Sequence, residues 1–337
     1  MVLRKTTSIG RMAPHATLRE VAARSGFSVS QVSRVLAGEG SATPQARATI
    51  RAAADELGYR RGTNGGRPRA PQPRLIELAL GHFEGGWADG VVAGTRAAAT
   101  RLGYDLVLTA ERDEASDDWP ERVAARRSAG VVLGLIRPTT AQLRTLQAVD
   151  IPVVLLEPQS DPPGGVASVG STDSAGGYDA GRHLARTGVD HVVIVTAGSN
   201  YRFGRARVSG CRAALAEFAP QATIDEVAGS WHAEDAYRAV LPALHGIRHR
   251  VGVFCMSDDM ATGVYVAAKE LGLKIPDDVA VVGFDDRPFA RRMSPPLTTV
   301  RQPIRDMAAR AVELLVDPSA DGQRIELPTE LIVRRSA

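Results

Sequence analysis

Apolar residues follow two different rhythms along this chain, and the change falls near residue 75. Before it, they recur at helical spacing in short blocks, each opened by a hydroxyl residue. Thr17-Leu18-Arg19-Glu20 reads as a capping box, with Leu18, Val21 and Ala22 on one face of the helix that follows. Gly26 suits the left-handed residue that ends such a helix. Ser28-Val29-Ser30-Gln31 is a second box only two residues later. Val32, Val35 and Leu36 give its buried face, and Gly38 follows. Thr43-Pro44 is a third start, a cap with proline in the first helical position, and its helix runs to Leu57 and stops at Gly58. Three short helices with a tight turn between the first two predict a helix-turn-helix.

Beyond residue 75 short apolar runs alternate with amphipathic stretches. LIELAL (75–80), DLVLTA (105–110), VVLGLI (131–136), PVVLLE (152–157), HVVIVTA (191–197), VGVFCM (251–256) and VAVVGF (279–284) suit buried parallel strands. Helical stretches lie between them at 88–101, 174–187, 205–218, 233–244, 258–271 and 304–316. This alternation predicts doubly wound α/β sheets, and the length fits two lobes better than one. In open α/β sheets a ligand sits beyond the carboxyl ends of the strands, here in a cleft between lobes.

Between the two patterns, RRGTNGGRPRAPQPR (60–74) has no apolar residue larger than alanine or proline and reads as a linker. The charge divides at the same place. Residues 1–74 hold 13 Lys and Arg against 4 Asp and Glu, whereas the remainder is net acidic. A basic head on an acidic body points to a polyanion that meets only the head, since phosphate affinity comes from clustered cations that release counterions. Within that head the second helix would enter the major groove, presenting Val29, Ser30, Ser33 and then Arg34. Arg34 can pair bidentately with guanine and Val29 can meet a thymine methyl. The hydroxyls of Ser28 and Thr43, each at a helix start, suit phosphates. The alternative is a protein-docking module with solvated arginines, which the clustered charge and basic linker disfavour. Cys211 and Cys255 stand 44 residues apart, with no metal or redox spacing. No run approaches a membrane span, and MVLRKTTSIGRMAPHA lacks the apolar core of a secretory signal, so a cytoplasmic protein is expected.

TLREVAARSGFSVSQVSRVLAGEGSATPQARATIRAAADELGY (17–59) resembles the DNA-binding head of the lactose-repressor (LacI-type) family, through VAARSGFS, VSRVL, TPQAR and ELGY. The resemblance continues through SVGSTDSAGG, RARVSGCRAAL, SDDMATG, VAVVGFDD and PPLTTVRQP, and so covers nearly the whole chain after residue 16. It implies an α/β fold with a three-helix helix-turn-helix head and two lobes of periplasmic-binding-protein type, the chain crossing between lobes three times. The expected organisation is a tail at 1–16, the head at 17–60, a hinge at 61–74 and an effector-binding and dimerisation domain at 75–337. The lobes are expected at about 75–172 with 304–320, and 173–303 with 321–337.

Read from residues alone, Asp285 ends an apolar run, where a carboxylate can accept from two adjacent hydroxyls or simply start a turn before Pro288. The resemblance favours the first, because the family's sugar-contacting Asp matches Asp285 and its effector-contacting Arg matches Arg207. Trp231 offers a stacking face where family members often carry an aromatic, or it is a core tryptophan. Asp173 and Gln302 match further cleft positions. Phe83 and Trp87, after the first strand, are candidates to complete an aromatic clamp. Two departures stand out. Ser257 replaces the Asn of many members, removing one bidentate amide contact. After Tyr59 the usual Pro-Asn and hinge helix are replaced by Arg60-Arg61-Gly62-Thr63-Asn64-Gly65-Gly66-Arg67-Pro68, with proline at the position of the wedging leucine. Because Gly costs about 1 and Pro about 3 kcal/mol inside a helix, a stable hinge helix is not expected. Arg61 and Arg67 are instead expected to enter a narrow minor groove.

Enzyme readings find no support. GxGxxG after a strand, GxxxxGK[ST] and GxSxG are absent, and no cofactor is expected. His245 and His249 stand four apart but with Gly246 between them and no third ligand nearby, so no metal is expected. A free solute-binding protein would not carry the basic head. The expectation is a homodimeric, ligand-controlled transcriptional repressor on a near-palindromic operator, with no C-terminal heptads to join dimers. The resemblance favours a sugar or short oligosaccharide as inducer. The alternative is a purine or other metabolite acting as corepressor.

Overall fold

The computed structural model describes residues 17–36, 38, 42–57, 59, 74–81, 83, 85–111, 119–198 and 200–337. The tail at 1–16, Gly58, nearly all of the hinge and its candidate contacts Arg61 and Arg67 lie outside these residues. The chain divides into two units between residues 72 and 73.

The first unit contains α1 (Leu18–Ser25), α2 (Val29–Leu36) and α3 (Pro44–Glu56). Thr17 and Glu20 form a full capping box, and Gly26 closes α1 with φ of 75°. The Ser28 hydroxyl accepts from the Gln31 N–H at 3.3 Å and that of Thr43 from the Ala46 N–H at 3.3 Å. These caps fix the directions in which three helices too short to be stable alone leave their turns. Val21, Val32, Val35, Ile50, Ala53 and Ala54 form their common core.

In the second unit two parallel-rich sheets each carry helices. The first sheet comprises β1 (Leu75–Leu80), β2 (Asp105–Ala110), β3 (Gly130–Gly134), β4 (Val153–Leu156), β5 (Ala167–Ser171) and β11 (Arg324–Leu327), in the order β11-β5-β4-β3-β1-β2. Its helices are α4 (Gly86–Arg101), α5 (Trp119–Arg126), α6 (Thr140–Gln147) and α11 (Ile304–Val316). The second comprises β6 (His191–Thr196), β7 (Thr223–Ala228), β8 (Val251–Cys255), β9 (Val279–Asp285), β10 (Thr298–Arg301) and β12 (Glu330–Ile332), in the order β12-β10-β9-β8-β6-β7. Its helices are α7 (Asp173–Arg186), α8 (Arg202–Phe218), α9 (Ala233–Leu244) and α10 (Asp258–Glu270). Only β12 runs antiparallel to its described neighbour.

The chain passes between the sheets after β5, after β10 and between β11 and β12. One expected boundary is therefore corrected. Residues 324–327, assigned from sequence to the second lobe, pair in parallel with β5 in the first sheet. Ile325 and Leu327 pack on the first lobe's core, which holds the strand there, and only β12 beyond it joins the second lobe.

The crossings are bound to one another. Thr329 N–H donates to Thr172 Oγ1 at 3.0 Å, and Thr172 N–H to the Leu327 carbonyl at 2.9 Å. In the second lobe α7 and α8 touch backbone to backbone. A Cβ at Gly177 would stand 2.0 Å from the Arg207 carbonyl oxygen, and one at Gly210 would stand 1.9 Å from that of Ser174. No side chain fits there, and this contact sets Arg207 against the start of α7.

Candidate functional site

Four of the sequence-derived candidates converge where the strands of both lobes end. Arg207 and Asp173 are both buried, their side chains 3% and 2% exposed. Arg207 Nε donates to Asp173 Oδ1 at 2.7 Å, and its NH1 donates to the Met256 carbonyl at 2.7 Å. The same NH1 stands 3.7 Å from Asp285 Oδ1. Gln302, on the second crossing, donates from Nε2 to Asp285 Oδ1 at 2.6 Å and accepts from the Ser171 hydroxyl at 3.1 Å. Arg207 also lies over the Phe284 ring, its guanidinium carbon 3.9 Å from the centroid, a cation–π contact.

The electrostatics follow from burial. Loss of water pushes the Asp285 carboxyl up to about 6, and the nearby Arg207 charge and the Gln302 hydrogen bond recover only part of the penalty. Burial likewise raises Asp258, which accepts from the Thr299 hydroxyl and, at 2.7 Å, from the Arg287 N–H. Arg207 remains firmly charged. Its burial would lower its basicity, but Asp173, Asp285 and Glu157 together outweigh that and raise it. Asp285 and Asp286 have φ of 109° and 52°, and Leu135 and Glu157, which follow β3 and β4, have 55° and 49°. Four non-glycine residues in this region at strand ends mark a place where the backbone is strained to aim side chains and carbonyls.

An aromatic wall completes the second-lobe side. Trp231 packs on Tyr201 and Phe203 with ring centroids 5.4 and 5.5 Å away, and Phe203 lies 5.3 Å from the Arg207 guanidinium carbon. A cluster of mutually inclined rings, with Tyr201 and Trp231 partly exposed and Phe203 buried, thus adjoins a buried cation and a carboxylate. Flat apolar faces for sugar C–H groups and charged acceptors for paired hydroxyls are the two halves of a carbohydrate site.

The other candidates surround this cluster. Ser257 is buried and caps α10, its hydroxyl accepting from the Met260 N–H at 3.2 Å. Phe83 and Trp87 stand on the first-lobe side, both half-buried. Both pack against the first lobe's core, the Trp87 ring passing over Gly134 at the end of β3. The aromatic partners of Trp231 are instead Tyr201 and Phe203. Sequence reasoning also missed Glu157, Ser171 and Arg202. Glu157 carries the same signal as Asp285, a carboxylate that closes an apolar run. Arg202 spans the lobes, donating to Glu326 at 3.0 Å.

On the head, Thr17, Ser28, Val29, Ser30, Arg34 and Thr43 are exposed, while Leu18 is part-buried on the small core and Ser33 is intermediate. Val29 keeps 43% of its surface open at the first turn of α2. Arg34 bonds the Ser30 carbonyl at 3.4 Å, which lays its side chain along the helix face. His245 and His249 are exposed and lie beyond the end of α9. Among the described residues no group of three or more His, Cys, Asp or Glu is placed to hold a metal, and no helix is long and apolar enough to cross a membrane.

Comparison with known proteins agrees with this division of the chain. Residues 17–62 match bacterial regulatory proteins of the lacI family, and residues 182–337 match the periplasmic binding protein-like domain. The chain is 31% identical to the HTH-type transcriptional regulator MalR of Streptomyces coelicolor, over 95% of this chain and 96% of that protein. It is 29% identical to the HTH-type transcriptional repressor PurR of Proteus mirabilis, with the same coverage. Among solved structures, a transcriptional regulator CelR–cellobiose complex superposes with a TM-score of 0.69 at 27% identity, covering 96% of this chain and all of that one.

Proposed function

The chain belongs to the lacI family of bacterial regulatory proteins, and from that premise we propose a repressor released from its operator by a sugar or short oligosaccharide. The observation that carries this reading is the Arg207 guanidinium, held by Asp173 and Met256, with the Asp285 carboxylate on one side and the aromatic wall of Phe203 and Trp231 on the other. Adjacent sugar hydroxyls suit the carboxylate and guanidinium, and the ring's C–H face suits the tryptophan. The related regulator solved with cellobiose supports the same class of ligand.

In this reading the head binds DNA through α2, with Val29, Ser30, Ser33 and Arg34 at base edges. Thr17, Leu18, Ser28 and Thr43 take the flanking backbone. Two copies present two heads to a near-palindromic site in the bacterial cytoplasm. The effector acts by binding, without chemical conversion. The test is thermal unfolding of the full chain against neutral sugars, oligosaccharides, nucleobases and phosphosugars. A ligand at 100 times its dissociation constant stabilises by about 2.7 kcal/mol. Stabilisation by a sugar that disappears in Arg207→Ala supports the reading. Stabilisation by a nucleobase alone replaces it with the corepressor alternative.

A further inference from the structure

Two consecutive acids open α10, and each holds a different part of Arg287. Asp258 Oδ2 accepts from the Arg287 backbone N–H at 2.7 Å, and Asp259 Oδ2 accepts from its NH1 at 3.1 Å. Arg287 follows the end of β9 and belongs to no helix or strand. Its guanidinium lies against Gly86, the first residue of α4 in the other lobe, where a Cβ would stand 2.0 Å from NH2. Just before it come Asp285 and Asp286, with φ of 109° and 52°. Two such residues in succession persist only where their surroundings fix them. Asp286 is fixed through its side chain by Arg301 and Arg334. The backbone beyond it is fixed by Asp258.

Asp258 is fitted closely to that place. It is wholly buried, and burying an acid costs stability unless donors meet its oxygens. Its Oδ1 accepts from the Thr299 hydroxyl of β10 at 2.5 Å. The same oxygen lies beside Gly283 of β9, where a Cβ would stand 2.3 Å away, so a side chain there would displace it. One oxygen is thus held by the core and the other by the turn. We propose that Asp258 is a positioning residue for the effector site: by holding the Arg287 N–H it fixes the strained turn that aims Asp285 at Arg207 and Gln302. With no exposed surface it acts through Asp285 rather than on the ligand.

This role rests on Asp285 as an effector contact, the reading given above, but the test follows Asp285 itself and needs no effector, so its failure would leave that reading standing. The Asp285 carboxyl, placed at about 6 by burial, is titrated by carbon NMR of the full chain labelled at aspartate, its signal identified by its loss in Asp285→Asn. Asp258→Asn keeps an oxygen for the Arg287 N–H and should leave the midpoint near that of the wild type. Asp258→Ala frees the N–H. The loosened turn should then let water reach Asp285, and its midpoint should fall towards the ordinary 3.8. Both variants remove the Asp258 carboxyl, so the difference between them reports the hydrogen bond. Thr299→Val removes only the core-side bond and should lower the melting temperature without moving the midpoint. If Asp258→Ala does not fold, Asp258→Ser replaces it, its hydroxyl being one bond too short for the Arg287 N–H. In the wild type the Arg287 N–H should exchange with solvent several-fold more slowly than a free amide, as a native hydrogen bond implies. An equal midpoint in the asparagine variant and in the alanine or serine variant overturns the assignment. So does an equal shift in Thr299→Val, or free exchange at Arg287.

Discussion

Replacing Asp285 with Asn should stabilise the protein while removing its effector response. The Asp285 side chain is 9% exposed and its carboxyl is pushed up from 3.8 to about 6. A rise of about two pH units corresponds to about 3 kcal/mol of preference for the neutral form. The sign follows from linkage. The neutral carboxyl's advantage is fully present below about pH 4, and it is lost as the pH rises through about 6. Asn fixes the neutral form, keeps an oxygen for Gln302, and weakens only a 3.7 Å contact with Arg207. The expected gain at pH 7.5 is therefore about 1–3 kcal/mol, or about 2–4 °C in melting temperature for each kcal/mol at this size. Calorimetry at pH 4 and 7.5 reads it directly. The two proteins should melt together near pH 4 and diverge at pH 7.5, with the variant higher and no longer stabilised by sugar. A variant that melts lower at pH 7.5, or by the same margin at both pH values, would refute the reasoning.

Two further substitutions separate the roles of body and head. Gly177→Ala places a methyl 2.0 Å from the Arg207 carbonyl oxygen. It should part α7 from α8, lower stability by about 1–3 kcal/mol as overpacking does, and weaken effector binding by displacing Arg207, read by unfolding and by titration of the same sample. Arg34→Ala changes an exposed side chain and should leave the melting temperature unchanged. It should weaken operator binding by about 1–3 kcal/mol and relax the preference at one base pair, which binding to a set of singly substituted operators would show.

Much of this was legible in the sequence because buried parallel strands advertise themselves. The runs at Leu75–Leu80 and Val251–Cys255 coincide with buried strands, as each needs a short continuous apolar stretch, whereas Asp105–Ala110 is a strand at a sheet edge with Leu108 half exposed. The elements that escaped notice are polar, short or both. β7 and β11 lie at sheet edges, so TIDEVA and RIEL need only one apolar side. β10 reads Thr-Thr-Val-Arg, whose buried threonines bond to Asp258 and to the Arg334 N–H. The site was legible where a polar residue closes an apolar run, as at Asp285, or matches a known motif, as at Arg207. Its first-lobe half was not. Glu157 looks like any charged residue before a loop until the chain's crossings bring it to Asp173. Phe83 and Trp87, offered by the sequence as clamp aromatics, are half-buried against the first lobe's core, with the Trp87 ring beside Gly134 at the carboxyl end of β3.

If a sugar in the cleft controls the hold on DNA, operator binding with and without sugar must differ. Fluorescence anisotropy of labelled operator duplex against the full chain would be measured at fixed salt, because phosphate contacts make the affinity salt-dependent. A sugar able to stabilise the protein should weaken operator binding about 5–150-fold, a coupling of about 1–3 kcal/mol, and Arg207→Ala should abolish the effect. A sugar that binds and leaves operator affinity unchanged, or tightens it, would rule out an inducer in the cleft.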